Sequence, residues 1–192
     1  MNEKAPISRD TAGDRGPDSH VGIKKLNFGC GEKRIPGFLG IDRIKTPAVD
    51  IVHDLNEFPY PFADNSADEV LLDNALEHLD DVIKVMEEIF RICKNGALVR
   101  IYAPYFKSNS AFTDPTHKNF FTETSFKYFA KDNPLHYYTD AVFKTRKIKM
   151  IAHTRYKDAK HLLRNLLPLK RILNYFLFNI YDEIYFELEC VK

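Results

Sequence analysis

From Lys24 onward, short apolar runs alternate with turn-rich or helical stretches. "KLNF" (25–28) reads as a short buried strand closed by a glycine turn, and "FLGI" (38–41) as a second strand closed by Asp42. "VDIVHDL" (49–55) is a third, with Val49, Ile51 and His53 sharing one face, and "DEVLL" (68–72) a fourth. "DDVIKVMEEIFRICKNG" (80–96) has the plainest helical period, with Val82, Val85, Met86, Ile89, Phe90 and Cys93 on one stripe. Asp80 or Asp81 can cap its start and Gly96 its end. "ALVRIYA" (97–103) is a fifth strand. Beyond Pro104, "KTRKIKMIAHTRY" (144–156) and "DEIYFELECVK" (182–192) are strand-like, with a long apolar helix pattern at 159–180 between them. Strands alternating with crossovers predict an α/β fold with a doubly wound, mostly parallel sheet, its last strand antiparallel beside its neighbour.

Composition narrows the class. A chain of 192 residues suits one domain with a real core. Residues 1–22 have few apolar groups and much Gly, Pro and charge, and read as a mobile tail or a short binding segment. The domain is then 23–192. A net charge of +1 argues against a strong polyanion binder. Cys30, Cys93 and Cys190 lie far apart with no CxxC pair, as in a reducing compartment. The seven histidines lack zinc-type spacing, so no metal site is expected. No apolar run approaches the roughly 18–20 residues of a membrane span, and no signal-peptide core is present. A soluble cytoplasmic protein is the expectation.

Ligands of open parallel sheets bind at the carboxyl ends of the strands. There the sequence places Gly29, Cys30 and Gly31 after the first strand, and Asp42 and Arg43 after the second. Asp54 and Leu55 follow the third, and Asp73, Asn74, Glu77 and His78 the fourth. Glycines admit close backbone approach, and carboxylates accept hydrogen bonds from ribose hydroxyls or an exocyclic amine. A dinucleotide fits poorly. The hexapeptide Gly29-Cys30-Gly31-Glu32-Lys33-Arg34 lacks the third glycine of GxGxxG, and Asp42 comes too early for the acidic partner about 20 residues on. Glycines serving only as a tight turn remain an alternative.

"LNFGCG", "GIDR", "VDIVHDLNEFPYPFADNSADEVLLDNALEHL" and "EEIFRICKNGALVRIYAPYF", taken in order, resemble the successive motifs of class I S-adenosylmethionine-dependent methyltransferases, most of all the small-molecule type with "LEHL" after the fourth strand. The resemblance spans roughly residues 24–106. It implies a Rossmann-like sheet of seven strands in the order 3-2-1-4-5-7-6 with the seventh antiparallel, and S-adenosylmethionine as cofactor. It implies that Phe28, Gly29, Cys30 and Gly31 form the loop under the methionine part. Asp42, followed by Arg43, would hold the ribose, Asp54 and Leu55 would flank adenine, and Asp73 and Asn74 would lie near the amino group and the sulfonium. The chain departs from the pattern in having Asn27 where an acid is common and Lys94-Asn95-Gly96-Ala97 at the usual "KPGG" turn. Its first crossover, 29–38, has room for about one helical turn.

Methyl transfer from a sulfonium needs little beyond an aligned nucleophile and removal of a proton. "FTDPTHKNFFT" (112–122) offers His117 as a general base, or alternatively as a loop anchor among the turn-formers Asp114 and Thr116. Glu77 and His78 could touch substrate, or pack and cap at the start of the clear helix. Nineteen of the 25 Phe and Tyr residues follow Arg100, and 105–143 reads as a substrate lid. At 160–180, Leu162, Leu163, Leu166, Leu167, Leu173, Phe176, Leu177 and Ile180 form an apolar face beside Lys160, Arg164, Lys170 and Arg171. An outer helix kinked at Pro168 is the simpler reading; a membrane-surface helix or a dimer contact are the others. The function expected is methyl transfer to a small molecule or a glycan or lipid precursor. The alternative is a noncatalytic S-adenosylmethionine-binding or assembly protein. A nucleic-acid acceptor fits less well.

Overall fold

The computed structural model describes residues 24–152, 164 and 166–192. Strand β1 (Lys25–Phe28) is flanked in parallel by β2 (Leu39–Asp42) and β4 (Ala67–Asp73), with β3 (Ile51–Val52) outside β2. Beyond β4 come β5 (Cys93–Pro104), then β7 (Glu183–Cys190) and β6 (Phe143–Ile151). The seven strands run in the order 3-2-1-4-5-7-6, and β7 is antiparallel to both neighbours. Apolar runs make the central strands: Leu26, Phe28, Val70, Leu72, Val99 and Ile101 are fully buried. The last strand to enter the sheet, β7, inserts between β5 and β6, so Ile184, Phe186 and Leu188 are also core.

Helix α1 (Val82–Ile92) buries Val85, Met86, Ile89 and Ile92, and the Asp81 carboxylate caps it by accepting from the Lys84 amide. Gly96 does not end it. The helix stops at Ile92, Cys93 is already extended and pairs with Ala67, and Gly96 (φ +81°) lies at the irregular start of β5. The first crossover, 29–38, holds turns and no helix. Its ten residues are too few for one once Pro36 and Gly37 are placed.

The edge strand β6 exposes Lys144, Arg146, Lys147 and Lys149, charges that oppose pairing with another sheet. Segment 105–142 divides. Ser110–Thr113 forms a short helix, α2, and the chain around it is exposed, whereas Phe121, Phe126 and Phe129 are buried, with Phe126 edge-on to Phe186 at 4.7 Å. The helix pattern over 159–180, expected to kink at Pro168, is interrupted there. Its residues 159–163 and 165 lie outside the described ones, as does the tail 1–22. Arg164 and Leu166 are helical, Leu169 turns left-handed (φ +53°), and α3 (Lys170–Phe176) starts afresh. Pro168 lacks the amide a helix needs and biases Leu167 away from helical backbone. No described helix is long and apolar enough to cross a membrane.

Candidate functional site

The carboxyl ends of β1 to β4 open into one cleft of about 750 Å³. It is lined by Gly29 and Gly31 from the first loop, Asp42 and Arg43 from the second, Asp54 and Leu55 from the third, and Asn74 from the fourth. Seven of the ten residues expected around a cofactor thus meet in one place. Three do not line it. Phe28 is fully buried core, edge-on to Tyr60 at 5.3 Å. The Cys30 side chain turns inward, its Sγ 3.8 Å from the Ala48 carbonyl oxygen. Asp73 is held by Lys33, which reaches across from the glycine loop.

Two glycines make the loop possible. Gly29 sits at φ +67°, and a Cβ there would lie 2.5 Å from the Ala75 Cβ, so the β1 loop can pass the β4 loop only without a side chain. On β2, a Cβ on Gly40 would strike the Ala48 backbone oxygen. Asp42 then locks the turn: one carboxylate oxygen accepts from the Gly31 amide at 2.8 Å and the other from the Ile44 amide at 3.0 Å. Each oxygen retains a lone pair for a hydroxyl. Asp54 accepts from the Asn56 amide at 2.9 Å and shapes the third loop. Asn74 holds a left-handed backbone (φ +54°), tolerated by Asn, while its amide group donates to Asp73 at 3.1 Å and to Glu183 at 2.9 Å.

Asn27 lies beneath this loop, almost fully buried, and donates to the Lys33 carbonyl at 3.3 Å, but its Oδ1 has no partner among the described residues. An orphaned buried acceptor asks for a donor, which an ammonium supplies. A nucleoside joined to an amino acid therefore fits the residues present.

The rest of the cleft was less visible in the sequence. Glu32, Ile44, Thr46, His53, Asn56, Ala75, Leu79 and Lys118 line it without having been singled out. His78 and Thr116, picked out earlier as substrate-contact and turn-forming candidates, line it too. Glu77 and His78 belong to a 3-10 turn, Leu76–His78, ahead of α1, so neither caps that helix. The Glu77 carbonyl accepts from the Lys118 and Asn119 amides at 2.8 and 3.1 Å, and so fastens segment 112–122 to the fourth loop. His117 is not among the lining residues. It packs behind the wall, its ring edge-on to His78 at 4.8 Å and its Nδ1 2.9 Å from the Ala111 carbonyl oxygen. Burial pushes the Glu77 carboxyl up to about 7, and neighbouring Glu183, Asp73 and Asp114 add to that; burial and the His117 charge hold His78 below the ordinary imidazole value.

Comparison with known proteins bears on the fold. Residues 35–101 match the family described as a methyltransferase domain. No curated protein matches the sequence. Among solved structures, an S-adenosylmethionine-dependent methyltransferase from Archaeoglobus fulgidus is similar with a TM-score of 0.56 at 18% identity, covering 88% of this chain and 86% of that one. A Haemonchus contortus phosphoethanolamine N-methyltransferase, in complex with phosphomonomethylethanolamine and S-adenosylhomocysteine, is similar with a TM-score of 0.56 at 16% identity over 89% of this chain and 49% of that one. The [4+2]-cyclase SpnF is similar with a TM-score of 0.57 at 13% identity over 88% and 76%. The fold is that of the Rossmann-like methyltransferases.

Proposed function

We propose that this chain transfers a methyl group from S-adenosylmethionine to a small molecule or a glycan or lipid precursor. The observation that carries the reading is the single cleft in which Gly29, Gly31, Asp42, Asp54 and Asn74 converge above the orphaned Asn27 Oδ1. Asp42 would bind the ribose hydroxyls, Asp54 and Leu55 the adenine, and Asn27 with the glycine loop the methionine part. When bound, the cofactor supplies a methyl group already activated by a sulfonium. The residues of the chain then hold the acceptor in line and exclude water. The exposed part of the segment after β5, around Phe112 and Phe120, would cover the acceptor, and the methyl group would be delivered toward Asn74, His78 and Thr116.

The acceptor's proton would leave through the imidazoles. His117 Nδ1 faces a carbonyl, so it carries the hydrogen and leaves Nε2 bare to take a proton.

Calorimetry with S-adenosylhomocysteine tests the reading: one site is expected, and no heat together with no thermal shift at millimolar ligand would reject it. The rival reading, a binding protein without methyl transfer, draws on SpnF, a named cyclase with this fold. Release of S-adenosylhomocysteine with candidate acceptors separates the two; binding without release across amine, hydroxyl and carboxyl acceptors favours the rival.

A further inference from the structure

We propose that Glu77, His78 and His117 form a binding site for a divalent transition-metal ion of the zinc class. One donor atom from each residue lies within 4.8 Å of the other two. The proton positions follow from the hydrogen bonds. The Thr116 hydroxyl donates its single hydrogen to Asp114 Oδ1 at 2.7 Å, so at 2.9 Å it must accept from His78 Nδ1. His117 Nδ1 donates to the Ala111 carbonyl oxygen at 2.9 Å. Both rings are therefore fixed as Nδ1–H tautomers with a bare Nε2. A carbonyl or hydroxyl acceptor behind a ligating imidazole is the usual outer partner of a metal site. Glu77 completes the set. It is 1% exposed, and neither carboxylate oxygen has a hydrogen-bond partner among the described residues.

A ring nitrogen from each histidine and a buried carboxylate oxygen thus lie together, and a cation between them would give all three a partner. Asp73, Asp114 and Glu183 surround it with further negative charge. Two imidazoles and one carboxylate suit zinc, cobalt or ferrous iron with a position left open, and suit magnesium poorly. Metal–ligand bonds of about 2.0–2.2 Å place neighbouring donors about 3.4 Å apart, so the three side chains close by about an ångström on binding. His78 lines the cleft, so the ion would sit beside it. A cation there would bind an acceptor oxygen and lower its pKa, and the imidazoles would then be ligands rather than bases.

The test uses untagged full-length protein stripped with chelator and titrated with zinc chloride alone, then with cobalt and magnesium chlorides. One equivalent of zinc should bind, cobalt should give visible absorption bands of a low-coordinate site, and magnesium should bind at least 100-fold more weakly. Glu77→Gln and His117→Gln should each weaken zinc binding at least tenfold, and Thr116→Val about 10–100-fold through the lost outer hydrogen bond. S-adenosylhomocysteine affinity should stay within twofold in Glu77→Gln and His117→Gln, neither of which alters a residue lining the cleft, so that failure of the metal site and failure of the cofactor reading are told apart. Should Glu77→Gln melt early, His117→Gln decides. No stoichiometric zinc in the wild-type chain, or wild-type zinc affinity in folded His117→Gln, overturns the proposal.

Discussion

Asp42 serves the site twice, and the two duties can be separated. Its carboxylate pins the Gly31 and Ile44 amides, and in the proposed complex it also binds ribose. Asp42→Ala should weaken S-adenosylhomocysteine binding by about 1.5–3 kcal/mol, the range for hydrogen bonds to a charged group. Asp42→Asn keeps one acceptor oxygen and should lie between. Unchanged affinity in both would remove Asp42 from the site. The thiols give a second check. Burial pushes Cys93 up to about 12 and Cys190 up to about 11, and raises Cys30 as well. Thiolate is the reactive form, so all three should label slowly with a disulfide reagent at neutral pH and rapidly in urea. Fast labelling of Cys93 in the native protein would contradict its packing. At this scale the sequence was legible where one residue type answers one backbone need, as at Gly29, Asp42 and Asn74. It was opaque where burial alone decides. Nothing in "FGCG" says that Cys30 turns away from the cleft toward Ala48 while Gly31 lines it.

Elements were legible when their period was long. α1 and β7 follow patterns that repeat over several turns or pleats, and both lie where those patterns put them. β3 shrinks to Ile51–Val52 because His53 and Asp54 are drawn into the loop. In the stretch 159–180 the apolar period continues through Pro168 while the backbone breaks there, where the proline marked a kink. Leu166, Leu169, Ile172, Tyr175 and Phe176 are left exposed beside Arg171. If this face meets a bilayer, as its composition suggests, the protein should co-sediment with anionic vesicles at low salt and less at high salt. No sedimentation at any salt would remove the membrane reading. A different link concerns stability. Arg91 on α1 donates to the Tyr60 and Phe62 carbonyls at 3.0 and 2.9 Å and to Glu88 and Asp64. It therefore ties the loop before β4 to the helix. Arg91→Ala should cost about 2–4 kcal/mol by leaving partly buried acceptors unpaired. A loss below about 0.5 kcal/mol by urea unfolding would show the loop held by Tyr60 and Phe62 packing instead.

For the whole molecule, the sheet order explains why the cleft lies where it does. The chain starts at the middle of the sheet, walks outward through β2 and β3, and returns to β4 on the other side of β1. Loops leaving β1 and β4 therefore part in opposite directions and leave a gap between them, the switch point of a doubly wound sheet. A ligand filling that gap touches all four loops. Its binding should stabilise the fold and order those loops together. At 100-fold its dissociation constant, a ligand specific to the native state adds about 2.7 kcal/mol. In a domain of this length that is roughly 5–10 °C in Tm. S-adenosylhomocysteine should raise the melting temperature by that amount. It should also slow amide hydrogen exchange in 29–32, 42–46, 53–56 and 74–79, while leaving the distant edge strand β6 unchanged. Protection spread evenly over the chain would mean that only global unfolding had been suppressed. Protection confined to one loop would place the ligand outside the gap and take the four-loop site with it.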